Sequence, residues 1–162
     1  MIFVYIVTTI LVIISILFQG HLGISGTKPD LLFIIVVYMA YSFGSFYGQV
    51  TGFCGGLLLD ADSGAPLGLF TFSYIIAGFV VGMFGRSVFR GNFITIMLLL
   101  FVASFIKGIL TLFICYSFDQ VSFFRSMGVV FTESLFNAFL APLFFFIFDK
   151  LFARELEREG YM

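Results

Sequence analysis

The sequence predicts an all-α fold, a polytopic membrane bundle of six transmembrane helices, on three observations. Hydrophobic residues make up 61% of the 162 residues and charged residues only 10%, with a mean hydropathy of +1.16, whereas a soluble domain is about half apolar and a quarter charged. Apolar runs recur at about 2–19, 31–43, 46–59, 67–85, 93–117 and 127–148, separated by the turn-rich stretches GHLGISGTKPD, DADSGAP, GRSVFRGN and FDQVSFFRS. Gly44, Gly48, Gly52 and Gly56 recur at four-residue intervals, which on a helix leaves one smooth face where another backbone approaches closely.

The first run, MIFVYIVTTILVIISILF, lacks a basic leader and a small-residue cleavage site, so it reads as a retained first span and not a signal peptide. His21, the sole histidine, follows it with no carboxylate or cysteine at ligand spacing and reads as a solvated interfacial residue. Asp30 after Pro29 reads as the N-cap of the second span. One helix over 31–59 would be about 43 Å long against a hydrocarbon core of about 30 Å, so a break is expected near Gly44 to Gly48. The two short halves then call for a re-entrant segment or a thinned bilayer.

The third span carries the glycine face, which packs either on the chain's own helices or on a partner's. It ends in a polar mouth of Asp60, Asp62, Ser63, Gly64, Pro66 and Gly68. Asp62 or Ser63 is expected to cap the fourth span, with Pro66 in its first turn. Asp60, at the negative end of its own helix dipole, has no such local explanation. The tail at 149–162, KLFARELEREG and the residues around it, reads as a solvated helical end on the cytoplasmic side, with Arg154 near Glu157 and Glu155 near Arg158.

Two charges fall inside apolar runs: Lys107 in the fifth span and Glu133 in the sixth. An intramembrane charge is costly enough that it pairs or lines a cavity. Lys107 lies about 14 Å and Glu133 about 9 Å from the outer ends of their spans, depths that allow a pair. Ser104, Gly108, Thr111 and Cys115 share the Lys107 face, and Asn137 and Ala141 share the Glu133 face, with Ser134 and Ala138 beside it. Two small, polar stripes of this kind suit each other. Together with the acidic outer ends they suggest an outward-facing pocket; a pair that only fixes helix register is the alternative.

With six spans and both termini inside, Arg86, Arg90, Lys150, Arg154 and Arg158 are cytoplasmic while Lys28 and Arg125 are outside, as the positive-inside rule requires. Five spans with an external N-terminus do slightly better, exposing only Arg125. There is no Trp, so Tyr5, Tyr38, Tyr41, Tyr47, Tyr74, Tyr116 and Tyr161 are left to anchor the interfaces. A net charge of −1 argues against a nucleic-acid partner. Cys54 and Cys115 lack metal-site or redox spacing and read as small hydrophobes. HExxH, GxSxG and P-loop patterns are missing from the sequence, and no nucleophile with its base is found at membrane depth, so neither an enzyme nor a cofactor is expected.

The chain resembles the bacterial rod shape-determining MreD family. The resemblance rests on Pro29-Asp30-Leu31-Leu32, the glycine-rich third span running into Leu58-Leu59-Asp60, the turn Ser63-Gly64-Ala65-Pro66-Leu67-Gly68, and Glu133 through Pro142-Leu143. Where many members carry Arg after the second span, this chain has Tyr41-Ser42-Phe43. The resemblance implies a six-span inner-membrane scaffold of the cell-elongation machinery, associating with MreC, MreB, RodA and a class B penicillin-binding protein. It also implies a fold like the substrate-binding S component of energy-coupling-factor transporters. From the residues themselves a vitamin-like solute contacting Asp60, Lys107 and Glu133 stands as the alternative role.

Overall fold

A computed structural model describes residues 2–19, 28–63, 66–88, 92–117 and 123–158. His21, Gly64, Arg90 and Tyr161 lie outside the described residues, as do the side chains of Arg86, Arg125 and Arg158. All regular structure among the described residues is helical: α1 (Ile2–Gln19), α2 (Leu31–Phe43), α3 (Ser45–Ser63), α4 (Leu69–Val88), α5 (Phe93–Ser117) and α6 (Phe123–Arg158).

The bundle is organised around α2. Its residues from Leu32 to Ala40 are all buried, as expected of a helix that is apolar on every side. At thirteen residues it is only about 20 Å long. Gly44 joins it to α3 with φ +97°, a left-handed conformation open to glycine at little cost.

The chain reverses at this hinge: a Cβ on Gly48 would lie 2.5 Å from the Cβ of Ala40, and one on Gly55 would lie 2.8 Å from a methyl of Leu32. α2 and α3 therefore form an antiparallel hairpin about Gly44. Gly44 itself belongs to the turn, and nothing lies within 4 Å of where its Cβ would be. This corrects its assignment to the packing stripe.

Gly48, Gly52 and Gly56 do form a close-packed face, and α4 fills it. A Cβ on Gly52 would stand 2.9 Å from the carbonyl of Tyr74, and one on Gly56 would stand 2.5 Å from Thr71 Cα. α4 returns the contact with its own glycines, since a Cβ on Gly82 would meet Ser45 Cα at 2.3 Å. The groove is thus an internal seam, unavailable to a partner.

α5 keeps its polar residues on the buried side and exposes apolar ones. On α5 the buried face carries Ser104, Lys107 and Gly108, while Leu98, Val102, Ile106, Ile109 and Phe113 form an exposed stripe. Exposed apolar surface on this scale belongs against lipid. α5 and residues Ser126–Glu157 of α6 are long and apolar enough to cross a membrane; α1, α2 and α4 carry shorter apolar stretches.

α6 has 36 residues, about 54 Å, and continues through the segment expected to be a solvated tail. Phe148, Phe152 and Leu156 are buried there because they recur four residues apart on one face. The ring of Tyr38 stacks on Phe152 at 6.0 Å and meets Phe145 edge-on at 5.1 Å, while its hydroxyl donates to Asp149 Oδ1 at 3.0 Å. Tyr38 is therefore a core residue, not an interfacial anchor.

Candidate functional site

At the opposite end of α2 from this aromatic cluster, polar groups of α2, α4, α5 and α6 converge. Asp30 caps α2, its Oδ1 accepting from the N–H of Phe33 at 2.9 Å. Its Oδ2 accepts from the ammonium of Lys107 at 2.8 Å and from the hydroxyl of Tyr74. Lys107 also donates to Glu133 Oε1, so one ammonium bridges two carboxylates. Asn137 Oδ1 accepts from the Asp30 N–H at 2.8 Å, and its amide donates to Ser104 at 3.0 Å. That bond satisfies a backbone donor just outside the helix, where no carbonyl of the ladder reaches it.

Lys107 is only 4% exposed and Asn137 is fully buried, which explains the density of partners: an unanswered polar group at this depth costs several kcal/mol. The Lys107 ammonium also stands 5.2 Å from the centroid of the Phe33 ring and 5.7 Å from that of Tyr74, within cation–π range. The antiparallel pairing of α5 and α6 sets Ser104 opposite Asn137 and Lys107 opposite Glu133, the two stripes that the spacing picked out. Thr111 leaves that interface and donates to Ser73 on α4 at 3.1 Å.

A cavity of about 310 Å³ opens beside the cluster. Lys28, Asp30, Lys107, Thr111 and Glu133 supply its polar wall, and Leu59, Phe70 and Val129 part of its apolar wall. The predicted residues thus separate into two places. Lys107, Glu133 and Asn137 meet in one cluster; Asp60, Asp62, Ser63, Pro66 and Gly68 lie along the α3–α4 turn, and none of these five lines this cavity.

Asp60 is 1% exposed and saturated by hydrogen bonds, not part of an open mouth. Its carboxylate accepts from the N–H groups of Gly68 at 2.9 Å, Phe70 at 2.8 Å and Thr71 at 3.2 Å, and from the Thr71 hydroxyl at 2.5 Å. Asp60, in the last turn of α3, therefore caps α4, placing its negative charge at the positive end of the next helix. Asp62 and Ser63, expected in that role, are exposed. Pro66 precedes the helix in a turn closed by Leu69 N–H to Pro66 O at 3.2 Å, and Gly68 takes φ +100°.

Asp60→Asn keeps the size but replaces an acceptor oxygen with an amide that points hydrogens at N–H donors. The expected loss is about 1–3 kcal/mol, read as a lower thermal midpoint of the purified protein in detergent. Asp62→Asn should leave the midpoint unchanged.

Two members of the cluster escaped the sequence reading. Asp30 appeared only as a cap, although its place at the same end of the bundle as Lys107 signals more. Tyr74 counts among the interfacial anchors by residue type, whereas its place within an apolar run, with no charge nearby in sequence, signals a buried hydroxyl in need of an acceptor. Among the described residues, no three His, Cys, Asp or Glu side chains converge as a group that could hold a metal ion.

Comparison with known families now adds to this geometry. The family model described as rod shape-determining protein MreD matches residues 1–154. A comparison with curated proteins finds no match.

Proposed function

The chain belongs to the MreD family of rod shape-determining membrane proteins, and from that premise we propose that it is a non-enzymatic scaffold of the cell-elongation complex. In this reading it crosses the bacterial inner membrane six times with both termini in the cytoplasm, in an arrangement like a transporter S component. It binds MreC, and through the same assembly serves MreB, RodA and a class B penicillin-binding protein in peptidoglycan synthesis. The family is one of shape determination and is not a known enzyme family.

The observation that carries the reading is the use made of Asp60. A buried carboxylate with four donors holds a turn whose outer surface presents Leu67, 77% exposed, with exposed Asp62 and Ser63 beside it. Fixing a turn that leaves an apolar side chain exposed on the protein surface favours docking, because a preordered surface loses less entropy on binding. The exposed apolar stripe of α5 and the overhang of α6, which carries Lys150 and Arg154, favour the multi-span, positive-inside placement.

In this reading the α3–α4 rim meets the membrane-proximal part of MreC. A Leu67→Ala, Asp62→Lys variant should reduce co-purification of MreC from membranes at matched expression by about tenfold, the loss of one apolar anchor and one rim charge. Unchanged recovery would remove the rim from the account. The 310 Å³ cavity favours a second reading, a subunit that binds a small solute, which a bound metabolite in mass spectrometry of the purified protein would support.

A further inference from the structure

Two charged side chains on the cavity wall keep polar atoms without a partner among the described residues. Glu133 gives Oε1 to Lys107, whereas Oε2 receives no donor among the described residues; its side chain is 23% exposed and lines the cavity. Lys28 lines the same cavity and makes no ion pair among the described residues. Deeper in, Asp30 and Glu133 carry two negative charges against the single positive charge of Lys107. That surplus favours a cation at Glu133, since a charge in a poorly solvated site seeks a counter-charge.

The dimensions limit what can enter. A volume of about 310 Å³ falls at the lower end of small-molecule sites, and a transmembrane helix of about 10–12 Å diameter is too wide for it. A lone cationic side chain from a partner would answer Glu133 and leave Lys28 unmatched. A group carrying both charges answers both residues, with Leu59, Phe70 and Val129 against its methylenes.

We infer that this cavity binds a zwitterion whose primary ammonium donates to Glu133 Oε2 and whose anionic group pairs with Lys28, the chemistry of phosphoethanolamine. The source is a lipid headgroup or the free compound. The inference takes from the scaffold reading only the side of the membrane on which the cavity opens. Binding in micelles depends neither on that side nor on MreC, so failure of one leaves the other standing.

The test uses the purified full chain in detergent and native mass spectrometry, with phosphatidylethanolamine, phosphatidylcholine, phosphatidylglycerol or free phosphoethanolamine added at equal concentration. Phosphatidylethanolamine is expected to be retained about tenfold over the other two lipids, the equivalent of one charge-assisted hydrogen bond. Phosphatidylcholine offers no N–H, and phosphatidylglycerol no cation.

Lys28→Glu, at an exposed position, should abolish the preference without unfolding the chain, and Glu133→Gln should abolish it too. Preference for the free compound without the lipid would support the site with a soluble source. Equal retention of all three lipids with no binding of the free compound, or a preference that survives Lys28→Glu, would overturn it. Binding of a lysine- or arginine-bearing peptide alone would also overturn it, and would assign Glu133 to a protein cation.

Discussion

Gly56→Leu is expected to abolish accumulation of the folded protein. At this position a single Cβ would stand 2.5 Å from Thr71 Cα and 2.8 Å from its backbone nitrogen, so the obstacle is the α4 backbone and not a side chain able to rotate away. Overpacking costs about 1–3 kcal/mol where neighbours can adjust and more where they cannot. A leucine here must push apart the α3–α4 seam along its length. Gly52→Leu, against the Tyr74 carbonyl at 2.9 Å, should behave alike. Val50→Leu, about 160° from Gly52 and about 120° from Gly56 around α3, should leave membrane levels and thermal midpoint near those of the parent. Equal losses at positions 50 and 56 would show that the glycine period carries no interface.

Lys107→Met should be nearly as damaging, by about 3–5 kcal/mol, because it strips buried Asp30 and the partly buried Glu133 of their common cation. The bridge also decides how rescue works. Adding Glu133→Gln removes one stranded charge but leaves Asp30, which is 3% exposed, so the double variant recovers only part of the loss. Adding Asp30→Asn as well should recover more, since asparagine caps a helix about as well as aspartate and its amide nitrogen, in place of the second oxygen, donates to the Tyr74 hydroxyl. Thermal midpoints of the single, double and triple variants give the coupling directly. Strictly additive losses would mean that the three side chains do not act as a unit.

The all-helical class was legible because composition and the spacing of apolar runs determine it, and a 31–59 helix was too long for one straight crossing. Lys107 and Glu133 were legible as a pair because charge at depth leaves few alternatives. What escaped depended on which element lies next to which. Asp60 is unfavourable at the end of its own helix and becomes a cap only when α4 folds back onto α3, with donors eight to eleven residues ahead. Gly44 keeps the four-residue phase yet serves a positive φ, and sequence period does not separate these two uses of glycine. The α6 extension shows a competing signal: Phe148, Phe152 and Leu156 were masked by the charges interleaved with them.

The scaffold reading is tested most directly by placing a photo-crosslinking amino acid at position 67 and irradiating intact cells. Leu67 is 77% exposed on the turn that Asp60 fixes, so the crosslinker perturbs no packing. The account predicts an adduct with MreC from position 67 and none from Phe113, 69% exposed on the α5 stripe. An MreC adduct from Phe113 with none from position 67 would contradict it.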